Sequence, residues 1–482
     1  SADQARAIAD AHRVLRTSLR ASQVHVTGRG YTEGVTVWNG AVRHRPAIVL
    51  TCTTTADVVL GVRTARDRGL PLTVRGRGHD WAGRALSDGG LTLDLRPLHE
   101  VRVDPGARTA EVGGGASAND VLAAAGEHGL AAATGTIGTV GMAGLTLGGG
   151  YGPLAGRTGL AADNLLAAEV VLADGSVVRT DARHDPDLLW ALRGGGGNFG
   201  AVTSMTVRLH AIPSVVTGLV LYPWHQARQV LERVREAQHT APADLTIQVG
   251  AIAAPDGSPA LLVLPTWAGD TATGEDPSGP VQALTRLGDP LLAQLEAAPY
   301  AAAIAGRDAM FPDGRYVTIR TRSVPGLVDD VIDVVERFGG RLPTPLSGMT
   351  LHHFHGAAAE VATADTAFAL RRPHLMAEIL GIREAGEPGE PVDSWADAAS
   401  AALAGSAFPG GYANLLGPEA ADQLAGVHGD NLPRLQRIKA AVDPDGVFSA
   451  TPLPMAAPEP TSGGAPASVE DQLGAGHGRG LG

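Results

Sequence analysis

Residues 73–83 read Thr-Val-Arg-Gly-Arg-Gly-His-Asp-Trp-Ala-Gly, and no other stretch restricts the fold as sharply. The preceding apolar run, Leu70–Val74, suits a buried strand. It halts at Gly76 and Gly78, whose backbone can take angles closed to residues with a Cβ. Glycines set between arginines let successive N–H groups converge into a concave nest for an anion such as a pyrophosphate. Arg75 and Arg77 would add charge-assisted hydrogen bonds, with His79 standing at the lip. Two further glycine-dense stretches follow, Thr134–Gly152 and Arg193–Gly200. Three such clusters predict backbone wrapped closely around a large, flat, phosphate-bearing molecule.

The third cluster contains Gly195-Gly-Gly197-Asn-Phe-Gly200, which formally satisfies Gly-x-Gly-x-x-Gly. A dinucleotide fingerprint of that kind needs a strand before it and a helix after it. Here Ala201–Leu209 follows with β-branched residues at period two, so a nicotinamide dehydrogenase is disfavoured. The 38 basic and 50 acidic side chains leave a formal charge of −12, which gives nucleic acid or an anionic membrane no electrostatic reason to approach. No apolar run reaches bilayer-spanning length. The expected location is cytoplasmic, and a secreted mature chain is equally compatible with a sequence that starts at Ser1. Cys52 is the single cysteine, so it has no disulfide partner within the chain, and it reads as a small buried apolar residue.

Taken in order, Ala5–Leu19 predicts an amphipathic opening helix, with Ile8, Ala11, Leu15 and Leu19 along one face. Ala47–Thr51, a helix over Thr54–Arg68, Leu70–Val74 and Leu91–Leu95 make a strand–helix–strand rhythm, with the His79 loop at the carboxyl edge of the layer. Val101–Val103 and Thr109–Val112 form a hairpin across Asp104-Pro105-Gly106, and a second hairpin flanks Asp174-Gly175. From Pro213 the texture is α+β. Strands are expected at Val215–Tyr222, Leu245–Ile252, Ala260–Leu264 and Tyr316–Thr321, and helices at His225–Gln238, Pro280–Leu287, Leu327–Phe338 and Ala364–Arg371. This divides the chain into 1–212, 213–407, 408–453 and a disordered, Pro/Gly/Ala/Ser-rich tail over 454–482.

The order Arg-Gly-x-Gly-His, then Gly-Thr-x-x-x-Val-Gly with Gly-Gly-Gly-x-Gly, then Arg-Gly-Gly-Gly-Gly-Asn-Phe-Gly resembles the vanillyl-alcohol-oxidase/p-cresol-methylhydroxylase (PCMH) flavoproteins, and within them the berberine-bridge-enzyme-like oxidases. Tyr412-Ala-Asn414 is similar to that family's Tyr-x-Asn, and Val442–Phe448 to its closing turn. The resemblance covers roughly Ala47 to Pro452. It implies an α+β fold of two domains: a PCMH-type FAD-binding domain over 1–212, to which 408–453 returns, and a substrate domain of antiparallel sheet backed by helices. It also implies FAD bonded covalently to His79. Many members add a second bond through a cysteine; Ile137 stands at that position, so one bond is expected. Arg75, Gly76, Arg77, Gly78 and Asp80 would hold the flavin with Thr134, Gly138, Thr139, Gly141, Gly144 and Gly148, which run along the diphosphate and isoalloxazine. Asp163, Asn164 and Val202 would approach the ribityl or adenine side. Asn414 would bond the flavin or order Tyr412, the candidate base, whose phenol needs a neighbouring cation such as Arg75 or Arg371 to act at neutral pH.

His352, His353 and His355 invite a metal reading. Only the last two share a strand face and no third ligand is visible, so no metal is expected. Gln248, Arg320 and His353 are candidates for the pocket wall. The function implied is oxidation of a small organic molecule, with dioxygen as the second substrate, by a monomer or homodimer; family substrates include alkaloids, oligosaccharides and antibiotic intermediates. A dehydrogenase using another acceptor and a self-resistance protein that sequesters a toxic compound remain as alternatives.

Overall fold

The computed structural model describes residues 2–455. Most of the tail expectation falls on 456–482, outside the described residues. Three sheets organise the chain. The first contains β1 (Val24–His25), β2 (Ile48–Thr51), β3 (Leu72–Arg75) and β4 (Leu91–Asp94) in the order β1-β2-β4-β3. β4 runs parallel to both β2 and β3. The helix Thr55–Arg66 makes the crossover that a parallel pair requires. It begins at a capping box in which Thr54 accepts from the Asp57 N–H while the Asp57 carboxylate accepts in return. Val58 and Val62 on this helix pack against Ile48, Leu50, Leu91 and Leu93, all fully buried. Strand β3 therefore ends rigidly at Arg75, and residues 76–80 leave from its carboxyl end.

The second sheet holds β5 (Val101–Asp104), β6 (Thr109–Gly113), β7 (Ala131–Ala132), β8 (Leu165–Val171), β9 (Val177–Asp181) and β10 (Ala201–His210). Its order is β5-β6-β10-β8-β9, with β7 beside β10 and every pair antiparallel. Both expected hairpins are present. So is the strand after Gly200, which is why the glycine triplet there does not open a helix.

The third sheet is antiparallel throughout: β11 (Val215–Pro223), β12 (Leu245–Ala253), β13 (Pro259–Trp267), β14 (Leu292–Ala298), β15 (Tyr316–Val324), β16 (Gly348–Phe354) and β17 (His374–Arg383), in the order β14-β11-β13-β12-β16-β17-β15. Helices Ala227–Thr240, Asp329–Gly339 and Glu390–Leu403 cover one face through Val230, Leu231, Val331, Val335, Ala396 and Leu403. The chain then returns. Leu435 and Ile438 of the helix Leu432–Val442 join the core of the second sheet, and Phe448 joins that of the first.

Two elements carry no clear local signal, and one local expectation differs. β14, Leu-Ala-Gln-Leu-Glu-Ala-Ala, contains good helix formers and no β-branched residue, yet it is a strand because it pairs with β11 along its whole length. Residues 28–35 form a helix despite three glycines. The helix expected over Ala364–Arg371 shrinks to a turn at Thr363–Asp365. The chain beyond the turn stays irregular around Arg371, whose buried guanidinium takes the carbonyls of Ala358 and Phe368 and the hydroxyl of Thr366.

Candidate active site

The three sheets meet around one cavity of about 310 Å³. The first side is the loop 76–80, with Gly76, Arg77, Gly78, His79 and Asp80 all on the lining. Gly78 sits at φ +76°, the left-handed region that a Cβ disfavours, and this turns His79 inward. Among the described residues, none of the main-chain N–H groups from Gly76 to Asp80 donates to another protein group. Arg77 gives one arm to Asp120 at 2.5 Å, while its buried Nε has no partner. Buried donors normally find acceptors. A row of open N–H groups with an orphaned guanidinium N–H beside it therefore suits an oxygen-rich anion. The second glycine cluster completes this cradle with Gly135, Thr136, Ile137, Gly141 and Gly144. A Cβ built on Gly144 would meet no atom within 4 Å, so bare backbone faces open space there. These features fit a diphosphate joined to a planar ring.

His79 stacks on Trp38, with ring centres 5.4 Å apart and planes at 19°. Burial pulls the imidazole down to about 4, against the opposing influence of Asp313 and Asp308, so at neutral pH the ring is uncharged with a free lone pair. Asp80 is spent on Arg84, at 2.7 Å. Arg84 in turn donates to the carbonyls of Ala413 and Asn414, and the Trp81 indole donates to that of Leu415. The His79 loop thus straps the C-terminal segment against the cavity.

That segment supplies the second side, Tyr412, Asn414 and Leu415. The Tyr412 oxygen accepts from the Gly150 N–H and the Asn414 amide, both at 3.0 Å. Burial raises its pKa in spite of those donors. With its acceptor sites filled, the phenol keeps its own hydrogen to offer. Tyr151 lies alongside at 4.8 Å between ring centres and donates to His374 Nε2 at 2.6 Å. The direction follows because His374 Nδ1 donates to the Arg372 carbonyl.

The third sheet is the third side, through Ile319, His352, Met376 and Glu378. Glu378 accepts from His352 Nε2 at 2.8 Å, and the Gln248 amide sits 2.5 Å from His352 Nδ1. Sequence reasoning missed His352 and Glu378. It favoured His353, one residue along and therefore on the other face of the strand. His353 and His355 instead stack on each other at 3.9 Å, outside the cavity lining. Arg320 is held by Asp397 and Glu419. Among the described residues no group of three or more His, Cys, Asp or Glu side chains is placed to hold a metal ion.

Of the remaining expected residues, Val202 lines the cavity and several others do not. The Arg75 guanidinium turns away to the carbonyls of Glu33, Gly34 and Thr36. The Thr134 hydroxyl meets Tyr300, the Gly138 N–H donates to Asp308 at 2.7 Å, and Thr139 is exposed. Gly148 lies under the Asn414 side chain, where a Cβ would collide. Asp163 pairs with Arg371, and Asn164 caps the carbonyls of Thr158 and Leu160. Apart from Val202 and the exposed Thr139, these residues lie behind the lining.

A glycine-rich anion cradle with an imidazole at its lip, faced by His352 and Glu378 of the third sheet, fits a flavoprotein, and comparison with known proteins agrees. Residues 46–181 match the FAD binding domain family, and residues 411–452 match the family described as berberine and berberine like. The chain is 30% identical to the FAD-linked oxidoreductase aurO of Gibberella zeae over 86% of this chain and 81% of that one. Its fold matches 6-hydroxy-D-nicotine oxidase from Arthrobacter nicotinovorans, with a TM-score of 0.80 at 26% identity over 89% of this chain and 96% of that one. It also matches the wild-type berberine-bridge-enzyme-like protein 1 of Physcomitrella patens, with a TM-score of 0.80 at 20% identity over 93% of this chain and 99% of that one. The chain belongs to the berberine-bridge-enzyme-like family of FAD-linked oxidoreductases. No helix among the described residues is long and apolar enough to cross a membrane.

Proposed function

We propose that the protein is an oxidase that holds FAD through one covalent bond to His79 and oxidises a C–H bond of a small organic substrate, with dioxygen as final acceptor. The observation that carries this reading is the run of open N–H groups leading to a neutral imidazole packed on Trp38. An uncharged ring nitrogen is the form able to make a bond to carbon. Ile137, on the cavity wall, has no thiol to offer a second attachment. When bound, FAD supplies the hydride acceptor and the reactivity towards dioxygen. On this reading residues 1–212 and 408–453 hold the cofactor, and 213–407 supply the substrate wall.

The chain's own groups account for the rest. The 76–80 loop and Arg77 take the diphosphate. Ile319, Met376 and Leu415 keep the substrate face dry and position the reacting carbon. Glu378, steadied by His352, accepts the proton from the substrate's O–H or N–H. Tyr412 was the expected base. Its raised pKa and filled acceptor sites make it a hydrogen-bond donor to the substrate instead.

Acid precipitation of the purified protein tests the covalent bond. Colour should stay in the pellet, with an intact mass increased by one FAD, and His79→Ala should release it. A colourless protein that takes up no added FAD overturns the reading. Slow reoxidation of the reduced protein in air would replace oxidase by dehydrogenase.

A further inference from the structure

The charged side chains on the cavity lining are Arg77, Asp80, Arg84 and Glu378. Arg77 is matched by Asp120, and Asp80 by Arg84. Glu378 is left, and its nearest titratable neighbour is His352. Whether that histidine cancels the carboxylate charge depends on how many protons it carries.

Gln248 decides this. Antiparallel pairing of β12 with β16 and of β16 with β17 sets Gln248, His352 and Met376 side by side on the cavity face, with Glu378 next to them. Gln248 is buried, and its Nε2 donates to His352 Nδ1. A nitrogen that accepts a hydrogen bond has its lone pair free and carries no proton. The single ring proton must then be on Nε2, which is the atom facing Glu378. The ring is thereby a neutral donor to the carboxylate. Thr321, directly across β15 from Glu378, adds a buried hydroxyl without a partner and no charge.

We propose that Gln248 is a positioning residue that holds His352 as its neutral Nε2–H tautomer, leaving Glu378 as an uncompensated negative charge that fits the cavity to a substrate bearing a protonated nitrogen. The proposal rests on the oxidase reading of the same cavity. Ile319, Met376 and Leu415 line the cavity with this charge and the Glu378 side chain is only 16% exposed, so the attraction is screened less than at an open surface.

Two measurements on the flavin-loaded protein test it, after the visible spectrum has shown that flavin is present; absence of flavin would fault the oxidase reading and not this one. In the first, ¹⁵N spectra of ring-labelled histidine are recorded, with His352 assigned by loss of its signals in His352→Gln. Nδ1 should resonate as unprotonated and Nε2 as protonated. Gln248→Met, which keeps the volume and removes the amide, should move the two shifts towards each other. Gln248→Glu should protonate both nitrogens. A wild-type ring protonated on Nδ1, or shifts unchanged in both variants, overturns the positioning role.

In the second, binding is followed by perturbation of the flavin absorption, comparing N-methylbenzylamine with the nearly isosteric but uncharged benzyl methyl ether. The amine should bind about ten-fold more tightly, as one hydrogen bond to a charged group allows. Glu378→Gln should remove most of that preference. Equal affinities, or an amine that does not bind, overturn the substrate class.

Discussion

Arg371 and Asp163 form a two-pronged ion pair, at 2.6 and 3.0 Å, whose side chains are only 4% and 9% exposed. The pair joins the strand-free stretch before β17 to the turn before β8, and so ties the third sheet to the second. Removing one partner strands a charge away from water, which is costlier than never having had the pair. Arg371→Met should therefore lower the unfolding free energy by about 3–5 kcal/mol in urea titrations. Adding Asp163→Asn should recover part of that loss.

Two polar groups on the cavity lining, Glu378 and Tyr412, should fail differently. Glu378→Gln removes the proton acceptor and should reduce kcat by on the order of 10²–10⁴. Tyr412→Phe removes a donor and should cost about 10² in kcat. Both should keep the visible spectrum of bound flavin. A Tyr412→Phe loss larger than that of Glu378→Gln would return the role of base to the tyrosine.

Burial pulls His210, His355, His374 and His428 down to about 4. In the unfolded chain these rings titrate near their ordinary value of 6.5, so below that pH the unfolded state binds more protons than the folded one. Stability therefore rises with pH through this window. It falls as the solution is acidified from about 6.5 to about 4, with a slope of up to about 1.4 kcal/mol per pH unit for each histidine. Urea midpoints measured at closely spaced pH values check the sign. A flat profile from 6.5 to 4 would contradict it.

The strap from Arg84 to the carbonyls of Ala413 and Asn414 holds a segment that has little regular structure. Arg84→Met should cost about 1–3 kcal/mol, since those buried acceptors lose charged donors. Amide hydrogen exchange over 412–416 should quicken while that of β3 and β4 stays unchanged.

How much of this could be read beforehand depends on where the determinant lies. The loop 76–80 was legible because a glycine-broken strand end is a local signal, and the covering helix announced itself by its Thr54 cap. The order of the three glycine motifs supplied the family. His352 and Glu378 were not legible. Which of three histidines in His352-His353-Phe-His355 faces the cavity is set by register against β12 and β17, a non-local property that a one-residue slip would reverse. Arg75 misled for a related reason: a guanidinium beside a phosphate nest looks like a ligand, and only the fold shows the carbonyls of the helix end at Glu33–Thr36 claiming it first. β14 drew no expectation, because its residues prefer helix and only its pairing with β11 makes it a strand.

The cavity wall carrying Tyr412 and Asn414 is strapped onto a loop whose Arg84 lies 330 residues before Asn414. During translation the nest at 76–80 emerges from the ribosome long before the tyrosine that faces it. A product released between Gly152 and Phe408 would possess the residues of the anion cradle but lack one side of the reaction chamber. Chains that stop before Tyr412 are therefore disarmed by construction, and a competent centre is a report that synthesis passed that residue.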